Sequence, residues 1–317
     1  MFYTLLMEYR KQPAKSALQR VDGMPFRWSL NPYRGCRHAC LYCYARIYHS
    51  YIGFEDPADF DRIILHKDDL PDRLRAELHA RRTPLEGEIA IGTATDPYQP
   101  IEAKEHVTRR LLEVLLEAGR SVSITTKSPL VTRDLDLLRA FAAYGGVRVN
   151  VTVTVLDDGL WRLLEPMTPS PTGRLAALST LADAGIPTSV FLAPVVPQIG
   201  DEDALRVLAA AAEAHVGHVM VQVLRLAPGV GEWLLPRLRA LRPSASARLE
   251  SLYRHRQTLS TEDRDRILGP ILERRRAYRL ERPLPALRTR EAQLTLFSGS
   301  EASFASAANF GPGPLRQ

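Results

Sequence analysis

Every cysteine of this chain lies within eight residues: Cys36, Cys40 and Cys43, spaced C-x3-C-x2-C, with no other in 317 residues. Three thiols this close exclude a disulfide framework, which would leave one sulfur over and close very small loops. Thiolates at this spacing are metal ligands. Zinc takes four Cys or His ligands in a tetrahedron, and His38 or His49 could supply the fourth. An iron–sulfur cluster also usually takes four thiolates. Three on a four-iron cube leave one iron with an open position, and an open position is where a metal centre does chemistry rather than only holding a loop.

The residues around the thiols carry a resemblance. Cys36, Cys40 and Cys43, with the aromatic Tyr42 just before the last of them, resemble the signature loop of the radical S-adenosylmethionine (SAM) superfamily. The resemblance implies a [4Fe–4S] cluster on the three cysteines, with Tyr42 among the cofactor-binding residues. It implies SAM chelated to the unique iron through its amino and carboxylate groups, and a one-electron reductant protein. Reduction then cleaves SAM to methionine and a 5′-deoxyadenosyl radical that abstracts hydrogen from a substrate. In such chemistry the cofactor carries the hard step and the protein positions it.

A second set of polar residues stands where strands are expected to end. Thr95-Asp96-Pro97-Tyr98-Gln99-Pro100 offers Thr95 and Asp96 as acceptors at the position where the superfamily binds the SAM amino group, whose donors must be satisfied in a closed pocket. Lys127, one of five lysines, is a point cation suited to the SAM carboxylate. Asn150, Thr152 and Thr154 share one strand face by the period of two, and Thr152 is the favoured ribose contact. Glu165 and Arg174 are weaker candidates.

The N-P-Y-x-G-C-x-H-x-C-x-Y-C-Y-A loop, T-D-P-Y-Q-P-x-E, T-K-S and the Leu156–Leu160 segment together resemble the spore photolyase-like branch over residues 26 to 226. One departure matters. That branch has a further cysteine, the hydrogen-atom donor to the product radical, about where Thr93 stands here. A threonine O–H does not replace an S–H in that role, and Tyr98 is the nearest alternative donor.

The elements that must position these residues follow from periodicity. Alternating apolar runs predict strands at 26–30, 88–96, 121–127, 147–155, 187–193 and 218–226. Helices are expected over 70–78 and 107–118, with Gly119 as C-cap, and from near Arg133, Thr172 and Asp201, with Pro171 at a first helical position and Asp201 as N-cap. Strand and helix alternate as in successive parallel units. The fold class is therefore α/β. Six strands fit the partial (β/α)6 TIM-like barrel that the resemblance implies, with its site at the C-terminal strand ends.

Four regions are expected: an N-terminal arm (1–25), the core (26–230), a basic, mainly helical extension (231–290) and a flexible tail (291–317). The formal charge is +6, but between Trp233 and Arg290 there are 15 Arg against 6 Asp or Glu. Such clustering is an electrostatic footprint for DNA, and equally the pattern of solvated helix faces. In the tail, Gln293, Leu294, Leu296 and Phe297 form a Q-L-x-L-F peptide that resembles the one with which bacterial repair and replication proteins engage the sliding clamp. No apolar run approaches the ~20 residues of a membrane span, the N-terminus is not a signal peptide, and cluster thiols need a reducing compartment. The expectation is a cytoplasmic protein without membrane contact.

Three functions compete: a radical SAM enzyme acting on DNA in spore photolyase-like repair, one modifying a protein, peptide or metabolite, and a non-enzymatic zinc-containing nucleic-acid-binding protein.

Overall fold

The structure, a computed structural model, describes residues 7–81, 85–254 and 256–290. In chain order the elements are β1 (Glu8–Lys11), β2 (Gln19–Arg20), β3 (Trp28–Leu30), β4 (Tyr33–Arg34), a 3-10 turn (Tyr44–Ile52), α1 (Asp59–Arg62), β5 (Ile63–His66) and α2 (Leu70–His79). Then come β6 (Ile89–Ile91), α3 (Glu102–Glu105), α4 (Val107–Glu117), β7 (Val122–Thr126), α5 (Leu135–Ala142), β8 (Val147–Thr152), α6 (Asp158–Leu164) and α7 (Pro171–Asp183). The described chain ends with β9 (Thr188–Val195), α8 (Asp201–Glu213), β10 (Val219–Val223), α9 (Val230–Leu241), α10 (Pro243–Leu252) and α11 (Thr261–Ala277).

The six expected strands are β3, β6, β7, β8, β9 and β10, which lie side by side in that order and pair in parallel. Strand β2 closes the β3 edge antiparallel. This is an α/β fold with a partial, TIM-like barrel. Its strands bury Ile89, Ile91, Val122, Ile124, Val149 and Val151 under the helices, as strands covered by crossover helices must.

The second strand ends at Ile91 rather than Asp96. Gly92 has φ +92°, and a Cβ there would stand 2.2 Å from the Thr125 carbonyl oxygen, so only glycine lets the chain leave the sheet at this point. The T-D-P segment is consequently a loop over the strand ends. At α7, Pro171 is the first helical residue and Ser170 caps it, its Oγ accepting from Gly173 N at 3.2 Å. At α8 the cap is Gly200, and Asp201 opens the helix.

A second sheet, β1-β5-β4, was not anticipated. It ties the N-terminal arm to the segment behind the cysteine loop, and Ala14, Ala17 and Leu18 of the arm join the main core. Beyond β10 the chain forms α9, α10 and α11, and residues 278–290 are not helical. Helix α11 packs on α8 and β10, while α9 and α10 share a hydrophobic cluster with Cys40, Leu41 and Tyr42. The last described residues recross the N-terminal strand ends, where Arg288 N donates to Gly145 O and Arg290 N to Gly119 O. Gln293, Leu294, Leu296 and Phe297 lie outside the described residues. Among the described residues no helix is long and apolar enough to cross a membrane.

Candidate active site

Strand β3 delivers the cysteine loop to the C-terminal end of the sheet, and three different elements pin it there. Gly35 has φ +77°, and a Cβ on it would meet the carbonyl oxygens of Ile63 at 2.7 Å and Phe60 at 2.8 Å. That close approach lets Cys36 N donate to Phe60 O at 2.9 Å. From the β6 side, Thr95 Oγ1 donates to Gly35 O at 2.6 Å, and the Gln99 amide oxygen accepts from Arg37 N at 2.9 Å. From the end of α6, Leu164 O accepts from Leu41 N at 2.9 Å.

Cys36 and Cys40 are buried, Cys43 partly so, and none is in a disulfide. Burial raises all three thiol pKa values, that of Cys40 to about 12. Thiols in such a setting need a cation before they ionise. The histidines expected as a fourth zinc ligand are turned elsewhere, His49 Nε2 to Ile63 O at 3.0 Å and His38 Nδ1 toward Asp96 at 3.2 Å. Three thiolates suit a [4Fe–4S] cluster with one iron left open.

Asp96 is turned into the loop. Its carboxylate accepts from Tyr98 N at 2.9 Å, Thr126 Oγ1 at 2.7 Å and Lys127 N at 2.7 Å, and it faces His38. Three hydrogen bonds and the facing imidazole commit this carboxylate to the loop. Thr95 is likewise committed to Gly35. Both residues shape the site from the inside, which their types foretold and their side-chain directions did not. Lys127 differs: among the described residues its Nζ makes no hydrogen bond, lying 4.0 Å from Glu165 and 5.6 Å from the Tyr42 ring centroid. Burial alone would lower its pKa, but Cys40 and Glu165 more than offset this and hold it charged.

The group that organises this end of the barrel is Glu165, only weakly signalled in sequence. It and Arg174 are both 0% exposed and 2.6 Å apart. The Tyr42 hydroxyl donates to Glu165 Oε1, as does Thr154 Oγ1 at 2.8 Å. Arg174 also reaches the Thr152 carbonyl at 3.2 Å and Thr168 Oγ1. Tyr42 is thus fixed by a carboxylate beneath the cysteine loop. Of the β8 row, Thr154 is taken by Glu165, and Asn150 by Ser123 and Ser189. Thr152 is buried, and among the described residues its side chain makes no hydrogen bond.

Burial by itself would raise the pKa values of Asp96 and Glu165. Yet His38 and the Thr126 and Lys127 donors hold Asp96 at about 2, and Arg174, Lys127 and Tyr42 hold Glu165 at about 2. Carboxyls depressed on folding contribute stability that is complete above the unfolded range near pH 4 and lost as pH falls through the folded value. Melting temperatures of the iron-free protein should therefore drop between about pH 4.5 and 2, and Asp96→Asn should flatten that drop.

Thr93, at the position of the missing hydrogen donor, is bonded through Oγ1 to Ser29 at 2.6 Å. The ring of Tyr98, the alternative donor, is buried in the main core with its hydroxyl donating to Asp134 at 3.0 Å.

Comparison with known proteins bears on the same residues. The family model described as the Radical SAM superfamily matches residues 30–211. An uncharacterized protein of Mycobacterium tuberculosis is 36% identical over 280 residues, covering 86% of this chain and 82% of its own. A radical SAM Nα-GlyT isomerase of Pseudomonas phage M6 is 27% identical over 55% of this chain and 34% of its own. Among solved structures, spore photoproduct lyase complexed with dinucleoside spore photoproduct superposes with a TM-score of 0.62 at 16% identity, over 85% of this chain and 79% of that one. The zinc-containing, non-enzymatic reading is thereby set aside. The protein belongs to the radical SAM superfamily, enzymes that work with a [4Fe–4S] cluster and SAM.

Proposed function

We propose that this radical SAM enzyme acts on DNA, with Cys36, Cys40 and Cys43 holding the cluster and with Lys127 and Thr152 taking the SAM carboxylate and ribose. When bound and reduced, the cluster supplies a 5′-deoxyadenosyl radical for hydrogen abstraction. Within this reading Tyr42, Thr95 and Asp96 keep the loop in shape, and Lys127 brings a desolvated cation to an anionic ligand. For Lys127→Ala we expect SAM to bind at least tenfold more weakly by equilibrium titration, with iron content unchanged.

The observation that carries the choice of DNA is on α10. One face of this helix packs in the cluster that contains Cys40 and Tyr42. Along its exposed side and ends stand Arg242, Arg248, Arg254 and Arg256, and among the described residues none of these four pairs with an acid. Unpaired arginines on a helix whose other face joins that cluster suit a phosphate backbone better than a neutral metabolite. The nucleoside lesion bound by the spore photoproduct lyase of similar fold supports the same reading. So does the tail peptide, which would bring the enzyme to a sliding clamp on DNA.

The test is DNA affinity against salt, with 5′-deoxyadenosine release measured in parallel. Replacing the four arginines by alanine should reduce the magnitude of the salt slope by about 3 to 4, at roughly 0.9 per phosphate contact. DNA should stimulate release in the unaltered enzyme. A slope unchanged by the substitutions, with no stimulation by DNA, would turn the assignment toward a peptide or metabolite.

A further inference from the structure

Behind the cysteine loop stands a buried cation that binding of SAM and DNA leaves without a role. Arg46 follows Cys43 in the 3-10 turn. Its Nη2 donates to the Cys40 carbonyl at 3.3 Å, and its Nη1 donates to Pro57 O at 2.7 Å and pairs with Asp61 at 2.6 Å. The guanidinium lies 4.2 Å from the centroid of the Trp233 ring on α9, over which Arg237 also lies at 3.2 Å. Arg46 Nε is buried with no hydrogen-bond partner.

Burying a guanidinium is costly, and an apolar side chain of similar volume would fill the same space at lower cost. The charge therefore needs an electrostatic reason. The Arg46 Nη2 bond to the Cys40 carbonyl sets that charge against the backbone of a cluster cysteine, and Asp61 pairs with it there. Reducing a cluster adds a negative charge, and nearby charges and hydrogen bonds set how readily that happens. We propose that Arg46 is a positioning residue that raises the midpoint potential of the cluster, with Asp61 moderating it and Trp233 of α9 holding the guanidinium in place. This rests on the assignment of the cluster to the three cysteines.

The experiment is a redox titration of anaerobically reconstituted full-length protein, the reduced cluster being counted by its electron paramagnetic resonance signal. Arg46→Gln should lower the midpoint. At the wild-type midpoint its ratio of reduced to oxidised cluster should fall about tenfold, or about 59 mV for a one-electron couple. Asp61→Asn, which leaves the cation uncompensated, should move the midpoint the other way, and Arg46→Lys should stay near the wild type. Opposite signs separate an electrostatic role from a structural one, because loosening the loop would lower iron content in both variants alike. Should Arg46→Gln not retain iron and sulfide, the positive shift of Asp61→Asn carries the test alone. Unchanged midpoints, or shifts of one sign, overturn the proposal. Wild-type protein that binds no iron and sulfide overturns the cluster assignment beneath it and is recognised by metal analysis before any titration.

Discussion

Replacing Cys36, Cys40 or Cys43 by alanine is expected to abolish reductive release of 5′-deoxyadenosine from SAM, to below a thousandth of the wild-type rate, while the barrel stays folded. Activity depends on all three sulfurs because the chain has no fourth cysteine to substitute for a lost one. Stability does not depend on them to the same degree. The thiols belong to two small hydrophobic clusters beside the loop, and none is part of the main core formed by the six strands and their helices. Losing one buried sulfur costs on the order of 1 kcal/mol. The far-ultraviolet circular dichroism of the iron-free variants should match that of iron-free wild type, with melting temperatures a few degrees apart at most. A variant that retains iron, sulfide and SAM cleavage would show that its cysteine is not a ligand.

What the sequence made legible was whatever period and spacing encode. The C-x3-C-x2-C loop is local, so its chemistry is readable without the fold. The six parallel strands announce themselves by apolar alternation between helices, and the helix starts by Pro171 and Asp201. Elements that rely on a distant partner were not readable. Strand β1 is four exposed residues, Glu8–Lys11, with no apolar pattern, and it exists because β5 offers a free edge. A helical extension was expected there, but nothing in Leu234 or Leu238 says that α9 faces Cys40 and Tyr42. Side-chain direction is the other limit. Asp96 and Thr95 were placed at the right end of the right strand, and the turn at Gly92 points them into the loop they hold. Glu165 gave only a faint signal, a single acid after the Leu160–Leu164 segment, because its importance comes from Arg174, Lys127 and Tyr42 converging on it from three other elements.

That convergence sets the second large effect. Glu165→Gln keeps the shape of the side chain but removes the negative charge between a fully buried Arg174 and the partly buried Lys127. An ion pair broken on one side leaves an uncompensated buried charge, which costs about 3 to 5 kcal/mol. For a domain of this size that corresponds to a fall in melting temperature on the order of 10 °C. The loss should not be uniform across the molecule. Tyr42 loses its carboxylate acceptor, and the carbonyl that holds Leu41 belongs to Leu164, the residue next to Glu165. The cysteine loop should therefore loosen first, with iron content falling before the barrel melts. Removing the cation as well distinguishes this account from simple crowding. Glu165→Gln combined with Arg174→Gln should recover at least half of the lost stability, since the double variant removes the fully buried cation and leaves only the partly exposed Lys127 without its acid. Equal or additive loss in the double variant would mean that the pair matters for its hydrogen bonds to Thr152, Thr154 and Thr168 rather than for its charge, and the Arg174 to Thr168 bond would then be the one to restore.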